Sequence, residues 1–233
     1  MKKAVSRVYL TLIYIFLYAP ILLLVVFSFN DTDTKSRTVW SGFSLRWYEM
    51  LFQDRMLLEA LKNTLIIAVC AALGATVLGT VAAIGINSMK GWRKKLVMNI
   101  TNLPMLNPEI VTGVSLMLLM VFVAGLFGIS LGMGSIILAH ITFCLPYVIL
   151  SVLPKLGQMD PHLYEAAQDL GCTPLRSFFK VVMPEIMSGV ITGMVMAFTL
   201  SLDDFIISYF CSGTTQTLPV YIYSMTKKRV SPE

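Results

Sequence analysis

The chain has 233 residues, of which 56% are hydrophobic and only 13% charged, with a formal net charge of +5. Soluble domains carry about 25% charged residues. A mean hydropathy of +0.76 therefore excludes an ordinary water-soluble domain and points to a polytopic membrane protein, in which lipid is the solvent for most side chains. The positive charge is then no nucleic-acid signal, and it is read loop by loop.

A span needs about 20 apolar residues at a rise of about 1.5 Å each. The first such run extends from about Val8 to Phe29. It is longer than a signal-peptide core of about 7–15 residues, and no small-x-small cleavage site follows it, so it reads as a retained span. The polar segment 30–62 carries Trp40 and Trp47, which suit an interfacial helix. A second span, 63–89, holds no charge, and its glycines and alanines suit close helix packing. The short basic loop "KGWRKK" (90–95) follows.

The third span is placed at 96–124, interrupted by "LPMLNPEI", where Pro104 and Pro108 remove helical hydrogen bonds and Glu109 adds a carboxylate. "GLFGISLGMG" lacks the lysine and preceding strand of a phosphate loop and reads as a turn. A fourth span, 129–153, contains Pro146; the polar segment 154–185 comes next, then a fifth span, 186–211, and a polar tail. The basic residues Lys2, Lys3 and Arg7, together with the 90–95 loop, place both of those segments in the cytoplasm. Alternation puts 154–185 on the same side and 30–62 outside. It also puts Lys227, Lys228 and Arg229 outside, against the rule.

Several chemistries are absent. Cys70, Cys144, Cys172 and Cys211 are far apart with no metal-ligand spacing, and no GxxxxGK[ST] occurs. His140 and His162 are isolated and read as packed or solvated side chains. No nucleophile–base or carboxylate–His constellation has usable spacing, which argues against a membrane enzyme.

The segment "LGQMDPHLYEAAQDLGCTPLRSFFKVVMPEI" is the most informative. Asp160 and Pro161 form a cap-and-start pair for a helix carrying Glu165, Ala166 and Ala167, and Gly171 stands where that helix ends. Thr173 and Pro174 start a second helix, with Phe178, Phe179, Val182 and Met183 on its apolar edge, which is expected to end before Pro184. Glu-Ala-Ala, three residues, Gly, nine residues, then apolar-x-apolar-Pro resembles the EAA loop of permeases of the binding-protein-dependent ABC importers. Glu165, Ala166, Ala167, Gly171 and Pro184 match; Val181 and Met183 stand where Ile and Leu are usual. In that family the loop docks on the ATP-hydrolysing subunit.

The resemblance extends over nearly the whole chain. "HITFCLPYVI", "FTLSLDDFIISYF", "LPVYIYSM" and the terminal "VSPE" look like the polyamine branch of that family, the C-type permeases of spermidine/putrescine importers. It implies an all-α, type I (MetI-like) inner-membrane permease, with five spans here and a sixth expected beyond the point where the chain stops. It also implies a complex with a homologous B-type permease, two ATP-binding cassette subunits and an external polyamine-binding protein. ATP and magnesium would be bound by the partner subunits, with no cofactor in this chain.

Charges at bilayer depth are expensive and usually functional. On a helix starting near Ile186, Asp203 falls roughly 25 Å along, in the outer half of the membrane. Glu109 falls roughly 20 Å along the third span. Carboxylates at such a level suit the stripping of water from a polycation in a narrow passage. Adjacent positions differ by about 100° on a helix, so Asp203 and Asp204 point differently. Asp204 shares the small-residue face of Gly189, Gly193, Ala197, Ser201 and Ser208, which is also a packing face. Which aspartate lines the path stays open at this level, as does the choice between polyamines. The competing readings are a permease for another substrate, such as an iron chelate or an amino acid, and an ATP-independent transporter.

Overall fold

A computed structural model describes residues 2–31, 39–128, 130–160 and 162–230. Pro161 and the last three residues of "VSPE" lie outside them. Among the described residues the fold is all-α, its one β feature an isolated bridge between Asn30 and Phe43. Five helical stretches are long and apolar enough to cross a membrane: Ser6–Ser28, Arg55–Ser88, Glu109–Phe127, Met133–Gln158 and Pro174–Asp203. The chain divides into two compact units, Met1–Leu58 and Glu59–Glu233.

In the first unit, α1 (Lys2–Ser28) is apolar on every side and exposes its side chains from Val8 to Val26 almost throughout. A helix of that pattern needs lipid or a partner around it. Beyond its end the side chain of buried Asn30 organises the chain. Its amide donates to the Val39 carbonyl (2.7 Å) and accepts from the Ser41 N–H (2.8 Å). The Asn30 carbonyl accepts from the Trp47 indole at 2.9 Å. Trp47 sits on α2 (Arg46–Gln53), the expected short polar helix, whereas Trp40 lies outside any helix.

α3 (Arg55–Ser88), which lies in the second unit from Glu59 onward, starts earlier than the expected span and buries a stripe of small residues, including Ala68, Ala71, Ala75, Gly79 and Ala83. A Cβ on Gly79 would lie 2.8 Å from the Val148 side chain, so this stripe is what lets α3 and α6 (Met133–Gln158) touch.

The expected third span is two helices. α4 (Gly91–Leu106) ends at Asn107, and α5 (Glu109–Phe127) alone is a membrane span. The cause is local: the residue before a proline is pushed out of the helical region, and Asn107 adopts φ −82°, ψ 144° ahead of Pro108. Pro104, by contrast, is accommodated inside α4. The turn after α5 uses Gly128 at φ +64°, and α6 then continues past Leu153, through Pro154, to Gln158.

α7 (His162–Asp169) is followed by Gly171 at φ +87°, as the spacing predicts. The next helix does not stop before Pro184. α8 (Pro174–Ser177), a π turn (Phe178–Val182) and α9 (Met183–Asp203) form one unbroken helix of 30 residues. A proline inside an α-helix clashes with the carbonyl four residues back. The wider π turn just before Pro184, closed by Met183 N–H on the Phe178 carbonyl, relaxes that crowding. The expected fifth span is shorter at its far end. The chain leaves the helix at Asp204 (φ −66°, ψ 124°) and resumes as α10 (Ile206–Cys211). The tail is also helical, as α11 (Leu218–Val230).

The core is the antiparallel contact of α6 with α9. His140 faces Ser201, Cys144 faces the Ala197 carbonyl, Val148 faces Gly193 and Val152 faces Gly189. The contacts advance four residues at a time on both helices, as interlocking i±4 ridges do. Approach is close enough that a Cβ on Gly189 would lie 2.8 Å from the Ser151 carbonyl oxygen and one on Gly193 3.2 Å from Val148 Cα.

Candidate transport site and coupling loop

The three acids expected on the path occupy different settings. Glu109 is the first residue of α5 and is exposed, rather than deep within a longer span as its sequence position suggested. One turn on, Gly113 is where α10 packs, since a Cβ there would meet Ile206 (3.1 Å) and Phe210 (3.2 Å). The first turns of α5 therefore belong to the same neighbourhood as the segment following the aspartates. Asp203, the last residue of α9, is exposed. Asp204 is not: its side chain retains 4% of its free accessibility.

Leaving the helix turns the Asp204 carboxylate onto the next one. It accepts from the Ser208 N–H (2.8 Å) and the Ile207 N–H (3.3 Å), satisfying two of the orphan donors at the start of α10. His140 Nε2 approaches the same carboxylate at 3.4 Å and the Ser208 hydroxyl at 3.2 Å. The other ring nitrogen of His140 shares a 2.6 Å hydrogen bond with Ser201. The ring therefore bridges Ser201 on one side and Asp204 with Ser208 on the other. Four polar side chains from α6, α9, the break and α10 thus satisfy one another where water is scarce. A buried polar group without such partners would cost about 1–3 kcal/mol, and a charged one more.

Ser201, Ser208 and Asp204 stand on the small-residue face read from the sequence. His140 was not connected with them. Its signal was a lone histidine on the buried stripe of a span, shared with Ile136, Phe143 and Cys144. Just after Asp203 in the chain, Phe205 and Tyr209 form an aromatic group with Tyr223, with ring centroids 5.6 Å apart (Phe205–Tyr209), 4.9 Å apart (Phe205–Tyr223) and 6.3 Å apart (Tyr209–Tyr223). Tyr223 comes from α11, in a tail the sequence reading left without structure. Phe143 and Tyr147 pair with each other on α6, Phe143 being buried in the core.

The EAA-type segment 154–185 inverts these properties. Glu165 is exposed, with His162 Nδ1 3.5 Å from its carboxylate on the same helix face. Asp160 caps α7 by accepting from the His162 N–H at 3.0 Å. Ala166 is exposed and Ala167 half-buried. Gly171 closes the turn with its N–H on the Gln168 carbonyl (2.8 Å). Apolar side chains around the loop face outward: Leu170 is 87% exposed, Leu175 72% and Phe179 61%. Pro184 is exposed at the start of α9.

An all-α arrangement of five membrane-spanning stretches, with a short helical elbow between the last two, defines a multi-pass membrane permease. The chain belongs to the family of binding-protein-dependent transport system inner membrane components, whose model matches residues 75–227. It is 43% identical over 231 residues to the putrescine transport system permease protein PotI of Escherichia coli (strain K12), covering 97% of this chain and 81% of the relative. It is 38% identical over 226 residues to the spermidine/putrescine transport system permease protein PotC of the same organism, covering 97% and 83%. A PotC homolog of Mycoplasma genitalium is 28% identical over 238 residues, covering 97% and 82%. These relatives are transport permeases rather than enzymes.

Proposed function

We propose that the chain is the C-type permease subunit of an ATP-driven importer of polyamines. It forms the translocation path with a homologous permease and takes its drive from two ATP-binding cassette subunits, receiving cargo from an external polyamine-binding protein. Both E. coli relatives carry polyamine transport in their names. The observation that carries the reading is the 30-residue helix Pro174–Asp203. It begins beside the EAA-type loop and ends, about 45 Å away at 1.5 Å per residue, on an exposed carboxylate. The chain that follows it carries Phe205 and Tyr209, rings of the kind that attract alkylammonium ions.

In this reading the amino terminus and the 90–95 loop are cytoplasmic, as is the elbow of α7 and α8. Glu165, Ala166, Ala167 and Gly171 present the elbow to an ATPase subunit, and Pro184 begins the lever above it. Ala166 lets the partner approach closely, Glu165 offers a charge for a basic groove, and Leu170 and Leu175 offer apolar area. Glu109 and Asp203 are the exposed carboxylates that stand in for part of the cation's lost hydration. Few and separated, they hold the cargo without trapping it.

The test is ATPase activity of the reconstituted complex, with its binding protein, against putrescine, spermidine, an iron chelate and amino acids. Stimulation by a polyamine is expected, and its absence for both polyamines would defeat the substrate assignment. Glu165→Lys is expected to abolish stimulation. Normal uptake together with normal complex recovery in that variant would sink the coupling assignment.

A further inference from the structure

The two aspartates differ in more than direction, and the difference traces to a residue 61 positions away from Ser201 in sequence, His140. Asp204 has no free face for a cargo. Its side chain is 4% exposed, both oxygens accept backbone N–H groups of α10, and His140 lies against the second oxygen. Asp203, one residue earlier, is exposed on the last turn of α9.

We propose that His140 is a positioning residue that divides the labour of the pair. By holding Asp204 as an anchor for the α6–α9–α10 junction, it fixes the end of α9 so that Asp203 alone is presented to the cation. This rests on the polyamine reading above for the cargo, though not for the anchor. No other arrangement of these side chains serves both ends. Were Asp204 to turn toward a cargo, the Ile207 and Ser208 N–H groups would lose their acceptor and His140 would lose its carboxylate. Phe205 and Tyr209 follow the anchor in the chain, at the break and on α10, so the anchor also holds the aromatic group that they form with Tyr223. His140 does this without touching the cargo, because it is 1% exposed.

The experiment uses the full reconstituted complex and four single variants, Asp203→Asn, Asp204→Asn, His140→Ala and His140→Gln, with the double variant of His140→Ala and Asp204→Asn. Melting temperature of the purified complex and uptake rate per assembled complex, at saturating cargo-loaded binding protein, are read for each. Asp203→Asn is expected to lower uptake at least tenfold with an unchanged melting temperature. His140→Ala and Asp204→Asn are expected to lower the melting temperature, the double variant falling no further than the worse single one, and His140→Gln to recover most of the loss. Because the anchor fixes the end of α9, His140→Ala should also lower uptake per assembled complex severalfold and His140→Gln should restore most of it; a lowered melting temperature with an unchanged rate per complex would overturn the positioning role.

A tenfold loss of rate per complex in Asp204→Asn at normal melting temperature would overturn the division. So would additive losses of melting temperature in the double variant, since independent sites add. If the wild-type complex carries no polyamine, the cargo reading fails while the melting-temperature cycle still decides whether His140 holds Asp204.

Discussion

The junction of α6, α9 and α10 and the elbow of α7 and α8 are opposites. At the junction polar side chains are buried in a membrane-spanning region: His140, Ser201, Ser208 and Asp204. At the elbow apolar side chains stand in the open: Leu163, Leu170, Leu175 and Phe179. Each end breaks the rule of its own solvent. Lipid disfavours the first set and water the second, and the same continuous helix joins them. The first set is complete within the chain, since its members satisfy one another. The second is complete only with something placed on it. A buried polar cluster with its partners present holds shape, while exposed apolar area beside the EAA-type spacing is, in the proposed reading, the surface that receives a partner.

The contrast can be broken from either side. The largest effect is expected from His140→Leu, which leaves the Asp204 carboxylate buried without its imidazole. Leaving a buried acceptor without one of its partners costs about 1–3 kcal/mol, and more for a charged group, so the melting temperature and recovery of the complex should both fall. Normal recovery and normal melting temperature would mean that the junction is not held by this contact.

Gly189→Leu comes next. A Cβ there already lies 2.8 Å from the Ser151 carbonyl oxygen and from Lys155 Cγ, so the helices must part. Overpacking of this sort costs about 1–3 kcal/mol, measured as loss of thermal stability without any change in which cargo stimulates the ATPase.

The smallest effect on the fold is expected at the other end. Leu170→Asp touches a side chain that is 87% exposed, and surface changes stay within about 0.5 kcal/mol. Its effect should appear instead as loss of ATPase recovery with the purified permease pair. A drop in the stability of the isolated permeases would mean that Leu170 packs within the chain.

Much of the fold is legible in the sequence because its signals are local. Apolar runs mark α1, α3 and α6, and Gly171 with Thr173-Pro174 marks the elbow. Two prolines act against their simplest local reading. Pro108 separates two helices instead of kinking one, because Asn107 before it cannot stay helical. Pro184 does not end a helix, because the π turn absorbs it. The break at Asp204 has only one local signal, an aspartate able to cap the helix that follows. "SLDDFIIS" holds neither glycine nor proline, and the helix stops there because Asp204 captures the amides of Ile207 and Ser208 while His140, on another helix, holds the carboxylate. Helical phase still put Asp204 with Ser201 and Ser208, because burial chose the face before geometry chose the break. The exposure of Asp203 and Glu109 was legible only as polarity. Their neighbours, Tyr223 above all, come from a segment whose apolar pattern is too short to announce a helix.

The π turn at Phe178–Val182 does more than spare Pro184 a clash. It inserts one residue into the winding, and one residue is about 100° of rotation. Ser177 just before it and Val182 at its end are buried; above it, Gly189, Gly193, Ala197 and Ser201 are locked on α6. The turn therefore indexes one end of the rod against the other, so that both contact faces engage at once. Deleting Val181 would restore ordinary winding and leave the two faces about 100° out of step, and the molecule could then satisfy its elbow or its core, but not both.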